Sequence, residues 1–175
     1  MYEKISVLIS EEEISAKLDE MAAQLNEDYK GKQLHVIGIL KGSVYFVCEL
    51  TKRLTMPVIL DFMVVSSYGD GTSTSGEIKI KKDTDIPIEG KDVLIVEDII
   101  DSGVTMSRLL PMLEVRKPAS IKLAAFLNKP SRRQADVDID YLGYDIEDKF
   151  VVGFGLDYAQ KYRNLPFVGV YDETT

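Results

Sequence analysis

The sequence predicts an α/β fold, a central parallel sheet flanked by helices on both faces, in a single domain spanning 1–175. Three observations carry this. Strand-like and helical apolar patterns alternate through the middle of the chain, as crossover connections between parallel strands require. Residues 93–100, VLIVEDII, form a β-branched run dense enough for burial on both faces. With 175 residues, the chain can bury roughly two thirds of its unfolded surface in one core.

The elements follow in order. Ser10 with Glu13 is a capping box, and Ile14, Leu18, Met21, Leu25 and Tyr29 recur at helical spacing behind it. Residues 34–40 read as a strand. Ser43 is placed to cap a helix through 54, which Met56-Pro57 stops. A second strand covers 58–66, and 67–76, SYGDGTSTSG, is a polar, glycine-rich loop. In 76–82 Ile alternates with Lys, as in an outer strand or hairpin arm. The strand from Val93 leads into a helix over 106–115, and another strand covers 121–127. Short strands are expected around 141–144, 150–153 and 167–171. Ligands of such sheets bind beyond the carboxyl ends of the strands. The 97–105 segment, Leu40-Lys41-Gly42 and Asn128-Lys129-Pro130 all fall there and should converge.

Composition narrows the function. A net charge of −8 offers no basic face to displace counterions from nucleic acid, so no nucleic-acid partner is expected. No apolar run approaches the ~20 residues of a membrane-spanning helix, and MYEKISVLIS lacks the pattern of a secretory signal. The single cysteine, Cys48, leaves no internal disulfide and reads as a small core residue of a cytoplasmic protein. His35, the only histidine, has no partner cluster and reads as structural or surface.

The chemistry concentrates in 93–105, VLIVEDIIDSGVT. The strand delivers Glu97, Asp98 and then Asp101 at its carboxyl end. Ser102-Gly103-Val104-Thr105 turns into a helix, whose first N–H groups and dipole favour a phosphate. Carboxylates beside a phosphate cradle need a reason: a divalent cation between them, or acids that grip sugar hydroxyls. A ribose carrying a 5′-phosphate satisfies that layout. An acidic pair also ends ordinary doubly wound strands, but the strand, the pair, the third acid and the loop together favour a ligand.

On these residues the segment resembles the phosphoribosyl pyrophosphate (PRPP) motif of the type I phosphoribosyltransferases. Its surroundings, LKGS at 40–43, Lys129 and KFVVGFGLDY at 149–158, resemble the hypoxanthine-guanine branch in its bacterial form, from about Ile5 to Glu173. The resemblance implies a small hood built from the N- and C-terminal segments. It implies transfer of phosphoribose from PRPP to N9 of hypoxanthine or guanine, giving IMP or GMP, with Mg2+ as cofactor, in a homodimer or homotetramer.

It also implies roles. Glu97 and Asp98 hold the ribose hydroxyls and, with Asp157, the metal. Asp101 is the catalytic base at purine N7, and Asp101, Ser102, Gly103, Val104 and Thr105 cradle the 5′-phosphate. Leu40, Lys41 and Gly42, with a cis Leu40–Lys41 bond, and Arg163 bind pyrophosphate. Ser67 and Tyr68 open a lid. Lys129 meets the 6-oxygen of the purine, Phe150 stacks on it, Val151 offers backbone groups to its edge, and Asp157 completes the base or metal site. Val104 departs from relatives with lysine there, which a backbone-mediated cradle tolerates. A xanthine, adenine or orotate transferase and a non-catalytic PRPP-sensing regulator are the alternatives.

Overall fold

The computed structural model describes residues 2–67 and 77–174. Among the described residues, nine strands and three helices follow one another: β1 (Ile5–Ile9), α1 (Glu11–Asp28), β2 (Leu34–Leu40), α2 (Val44–Thr51), β3 (Val58–Ser67), β4 (Ile78–Lys82), β5 (Asp92–Ile100), α3 (Val104–Glu114), β6 (Ser120–Asn128), β7 (Tyr141–Asp145), β8 (Val151–Val152) and β9 (Val168–Tyr171). A single 3-10 turn, Pro130–Arg132, follows β6.

The main sheet has the order β4-β3-β2-β5-β6-β7. Its strands are parallel except β4, which returns antiparallel along β3 and closes the edge. The alternating Ile and Lys of β4 suit that edge, one side packed and the other wet. From β2 the chain winds outward to β3 and β4, then crosses back to β5 and winds the other way. The switch point therefore lies between β2 and β5, where a ligand crevice is expected.

Period-two alternation divides the sheet between two cores. Val36, Leu94, Val96, Ala124 and Phe126 face α1 and α2 in one cluster. Ile37, Ile39, Val93, Ile95, Leu123 and Ala125 face α3 in the other, against Met106, Leu109 and Leu113. Burying Leu109 and Leu113 contributes about 1.5–3 kcal/mol each. The capping box of α1 is present: Ser10 Oγ accepts the Glu13 amide at 3.1 Å and Glu13 Oε2 accepts the Ser10 amide at 2.8 Å.

The hood is a second, antiparallel sheet of order β1-β9-β8, joining the two ends of the chain. Its β1 is an element that sequence patterning alone did not single out.

Several local expectations are corrected. Ser43 precedes α2 but makes no capping bond; its hydroxyl is buried, and α2 ends at Thr51. The backbone of Ser43 is already in the helical region, so its oxygen does not reach back over the first amides. Cys48 is exposed, on the opposite face of α2 from Phe46, Val47 and Leu50. For His35 the structural alternative holds and the surface one does not: it lies within β2 and is buried, with Nε2 3.7 Å from Asp61 Oδ2. The strand expected over 150–153 shortens to two residues because Gly153 and Gly155 take left-handed conformations.

Candidate active site

The cleft opens where β2 and β5 part. Their pairing runs from Leu34↔Asp92 to Gly38↔Val96; beyond Val96, β5 continues against β6 alone. Glu97, Asp98 and Asp101 thus reach the wall of a cavity of about 270 Å³, lined also by Leu40, Gly42, Ser102, Gly103 and Thr105. The acidic pair and the helix start share one space, as the sequence suggested.

The acids are held in place. Glu97 Oε1 accepts the Asp98 amide at 3.0 Å, and Asp98 Oδ1 accepts the Ile99 amide at 2.7 Å. Burial, and then the neighbouring charge of Asp98, push the Glu97 carboxyl well above the ordinary range. The pair therefore favours a bound proton, cation or hydroxyl donor. Asp98 also fills the space over Gly42, where any Cβ would collide with its carboxylate.

The phosphate-type loop is shaped by Gly103, whose φ of 81° sets the entry to α3. Ala135 and Arg133 close behind it and would clash with a side chain. The Ser102 carbonyl accepts the amides of Gln134 and Ala135 at 2.8 and 3.1 Å, tying the loop to the connection after β6. Ser102 Oγ accepts the Val104 amide at 3.3 Å. The other first-turn amides have no partner within the helix and point to its N-terminal side.

On the opposite wall the Leu40–Lys41 peptide is cis. Gly155 packs against the Gly42 carbonyl so closely that a Cβ there has no room. Arg163 Nη1 donates to the Gly155 carbonyl at 2.8 Å, and its Nη2 lies 3.3 Å from Asp157 Oδ1. Leu40, Lys41, Gly42 and Arg163 are thereby brought to one place, along with Asp157. The Asp157 carboxylate also accepts the Gln160 amide at 2.9 Å.

A third group gathers beyond β6. Lys129 is buried, unlike most strand-end lysines, with Nζ 3.6 Å from Asp148 Oδ1. Arg132 bridges Asp148, at 3.5 Å, and Asp101, at 3.2 Å. Charges thus alternate from Asp101 through Arg132 and Asp148 to Lys129. Phe150 is 48% exposed, its edges supported by Tyr158 at 5.7 Å and Tyr171 at 6.3 Å between ring centroids. Val151 is buried and pairs with Val170. Ser67 ends β3, and Tyr68 lies outside the described residues.

Arg132, Asp148, Tyr158 and Gln160 escaped the sequence reading. Arg132 and Asp148 act through neighbours distant in sequence, Gln160 reaches Lys41 across 119 positions, and Tyr158 ends the 149–158 segment without having been given a role of its own. Gly155 did carry a signal, as a glycine in an otherwise apolar strand.

No three acids or histidines among the described residues converge on a metal site. Glu97 and Asp98 can supply two carboxylates to a cation whose remaining ligands come from a bound molecule or water. That partial set suits magnesium, which keeps several non-protein oxygens.

A crevice at the sheet's switch point, with paired acids facing a helix start, defines the class. Residues 8–159 match the model of the phosphoribosyl transferase domain, and the chain belongs to that family. Within it, the chain is 53% identical over 167 residues to the hypoxanthine-guanine phosphoribosyltransferase of Streptococcus agalactiae, covering 95% of this chain and 93% of the relative. It is 51% identical to the enzyme of that name from Bacillus subtilis, over 94% of this chain and 91% of the other. The crystal structure of a hypoxanthine phosphoribosyltransferase from Staphylococcus aureus superposes with a TM-score of 0.95 at 46% identity, covering 98% of this chain and 94% of that one.

Proposed function

We propose that the protein transfers the 5-phosphoribosyl group of PRPP to N9 of hypoxanthine or guanine, giving IMP or GMP and pyrophosphate. The observation that carries this reading is the shared cavity of Glu97, Asp98 and the Gly103 helix start. It offers a sugar diol and a terminal phosphate complementary surfaces within one cavity.

Glu97 and Asp98 accept hydrogen bonds from the ribose hydroxyls and orient the anomeric carbon. The amides of 102–105 hold the 5′-phosphate without a lysine at Val104. Breaking the bond from C1 to pyrophosphate leaves positive charge on the sugar and negative charge on the leaving group, which Lys41, the Gly42 loop and Arg163 receive. Asp101 takes the proton from purine N7 as N9 attacks, contributing about 10²–10⁴-fold. Lys129 donates to the 6-oxygen, which an amino group cannot replace, and Phe150 stacks on the ring. Magnesium, held by Glu97 and Asp98, would neutralise the leaving pyrophosphate, and Asp157 stands apart from that pair, beside Arg163. The assembly we infer is a homodimer or homotetramer, with exposed Tyr45 of α2 among the apolar side chains available to a contact. A cytoplasmic location fits the lone cysteine.

The test is direct. Purified protein is incubated with PRPP, magnesium and each of hypoxanthine, guanine, xanthine, adenine and orotate, and the nucleotides are quantified. IMP and GMP should dominate. A preference for xanthine would move the base assignment, and no nucleotide from any base would end the reading.

A further inference from the structure

Two cations of the site meet on one neutral atom. Gln160 Oε1 accepts from Lys41 Nζ at 3.3 Å and from Arg163 Nη2 at 3.1 Å. An amide oxygen has two lone pairs and can serve both donors at once. The Asp157 carboxylate, 3.3 Å from Arg163 Nη2, offsets one of the two charges, and Gln160 Oε1 is the acceptor that holds the second cation beside it.

Gln160 is set up for this by its backbone. Tyr158 and Lys161 exchange amide bonds of 3.0 and 2.9 Å, closing a two-residue turn. Its central residues, Ala159 and Gln160, have φ of 50° and 65°, a geometry for which Asn or Gly is the usual choice. The Gln160 amide is pinned by Asp157 Oδ2 at 2.9 Å. A residue with a long acceptor side chain thus stands where a glycine would be easier to accommodate.

We propose that Gln160 is a positioning residue for the pyrophosphate end of PRPP, tethering the Lys41 ammonium and the Arg163 guanidinium where the leaving group lands. This rests on the assignment of Lys41 and Arg163 to pyrophosphate. What the position requires is an oxygen acceptor of this reach. A lysine on a flexible stem otherwise samples many rotamers and meets the polyanion in few of them.

The experiment compares Gln160→Met, Gln160→Gly and Gln160→Glu with the wild type for KM of PRPP, inhibition by pyrophosphate, KM of hypoxanthine and melting temperature. Met keeps the length without a strong acceptor. Gly relaxes the left-handed backbone, so folding is safe, and removes the side chain. Both should raise KM for PRPP and the inhibition constant of pyrophosphate about three- to tenfold. The KM of hypoxanthine and kcat at saturating PRPP should stay within about twofold, and Glu should restore most of the loss. A purely structural role would instead lower the melting temperature and move both KM values, without rescue by Glu.

Lys41→Met separates the two layers. If it leaves pyrophosphate inhibition unchanged, the assignment of the cations fails. If it weakens inhibition while Gln160→Met and Gln160→Gly do not, the tether alone fails.

Discussion

Gly155 lies back to back with Gly42: the Gly42 carbonyl oxygen occupies the space that a Cβ on Gly155 would need. Gly42 is in turn covered by the Asp98 carboxylate on its other side. Three segments far apart in sequence, the ends of β2 and β5 and the turn after β8, are stacked: only the Asp98 carboxylate covers Gly42 from β5, and Gly155 meets the Gly42 backbone directly. The wall carrying the cis peptide is therefore positioned by the loop that follows the hood strand β8.

Gly155→Ala should cost at least about 2 kcal/mol in stability, since its φ of 102° and the clash with backbone both oppose a side chain. It should also raise KM for PRPP by displacing Gly42. Gly90→Ala is the control: its φ is 71° but nothing lies within 4 Å, so about 1 kcal/mol is expected. Denaturant unfolding of both variants reads the difference. Equal losses would show that the back-to-back contact adds nothing.

Asp101→Asn should keep PRPP binding and slow turnover about 10²–10⁴-fold, because the amide cannot take the purine proton. Isothermal calorimetry and steady-state rates separate the two. Unchanged turnover would remove the base role. Arg132, 3.2 Å from Asp101, would then be bonded to an acid of purely electrostatic use.

Lys129→Ala should erode discrimination among purines more than affinity for PRPP. Among the described residues, the buried Lys129 ammonium has one anionic partner, the half-exposed Asp148 at 3.6 Å, so it is placed to find a further acceptor. Competition assays with hypoxanthine and adenine measure the ratio. An equal loss for every base, or no loss, would count against a contact with the 6-oxygen.

Stability should fall with acidity in two windows set at the opposite end of the sheet. Burial lowers the His35 pKa, against the pull of Asp61, so the folded state keeps the ring neutral. The unfolded chain takes up that proton below about pH 6.5, and stability drops from there toward the folded value. Asp61 is affected first by burial, which raises its pKa. The amides of Phe62, Ile86 and Asp85, with Lys82, more than reverse that, leaving it below the ordinary value. Its contribution is present above about pH 4 and is lost as pH falls further, through the folded pKa. Calorimetric melting from pH 7 to 5 should show the first slope in the wild type and a flatter one in His35→Leu. An unaltered slope would assign that window to other groups.

Short-range patterns were legible where one segment contains its own reason. The β5 run, the capping box at Ser10 and the turn through Gly103 each state their geometry in consecutive residues, and each is present. Cys48 and His35 were less legible. A small apolar residue in a short helix can face either way, and the partner that buries His35 sits on the neighbouring strand. The hood was implied only by resemblance, since β1 and β9 lie at opposite ends of the chain.

From its residues alone, the chain determined its layer architecture and the segment that carries the acids and the helix start. Apolar periodicity, strand-end chemistry and a glycine turn are local properties, written within a few positions of one another. Tertiary structure alone decided that Gly42 meets Gly155, that Gln160 joins Lys41 to Arg163, and that Arg132 links Asp101 to Asp148. Those contacts depend on strand order and on how each crossover returns to the sheet, and such long-range distances leave no period or motif in the linear sequence.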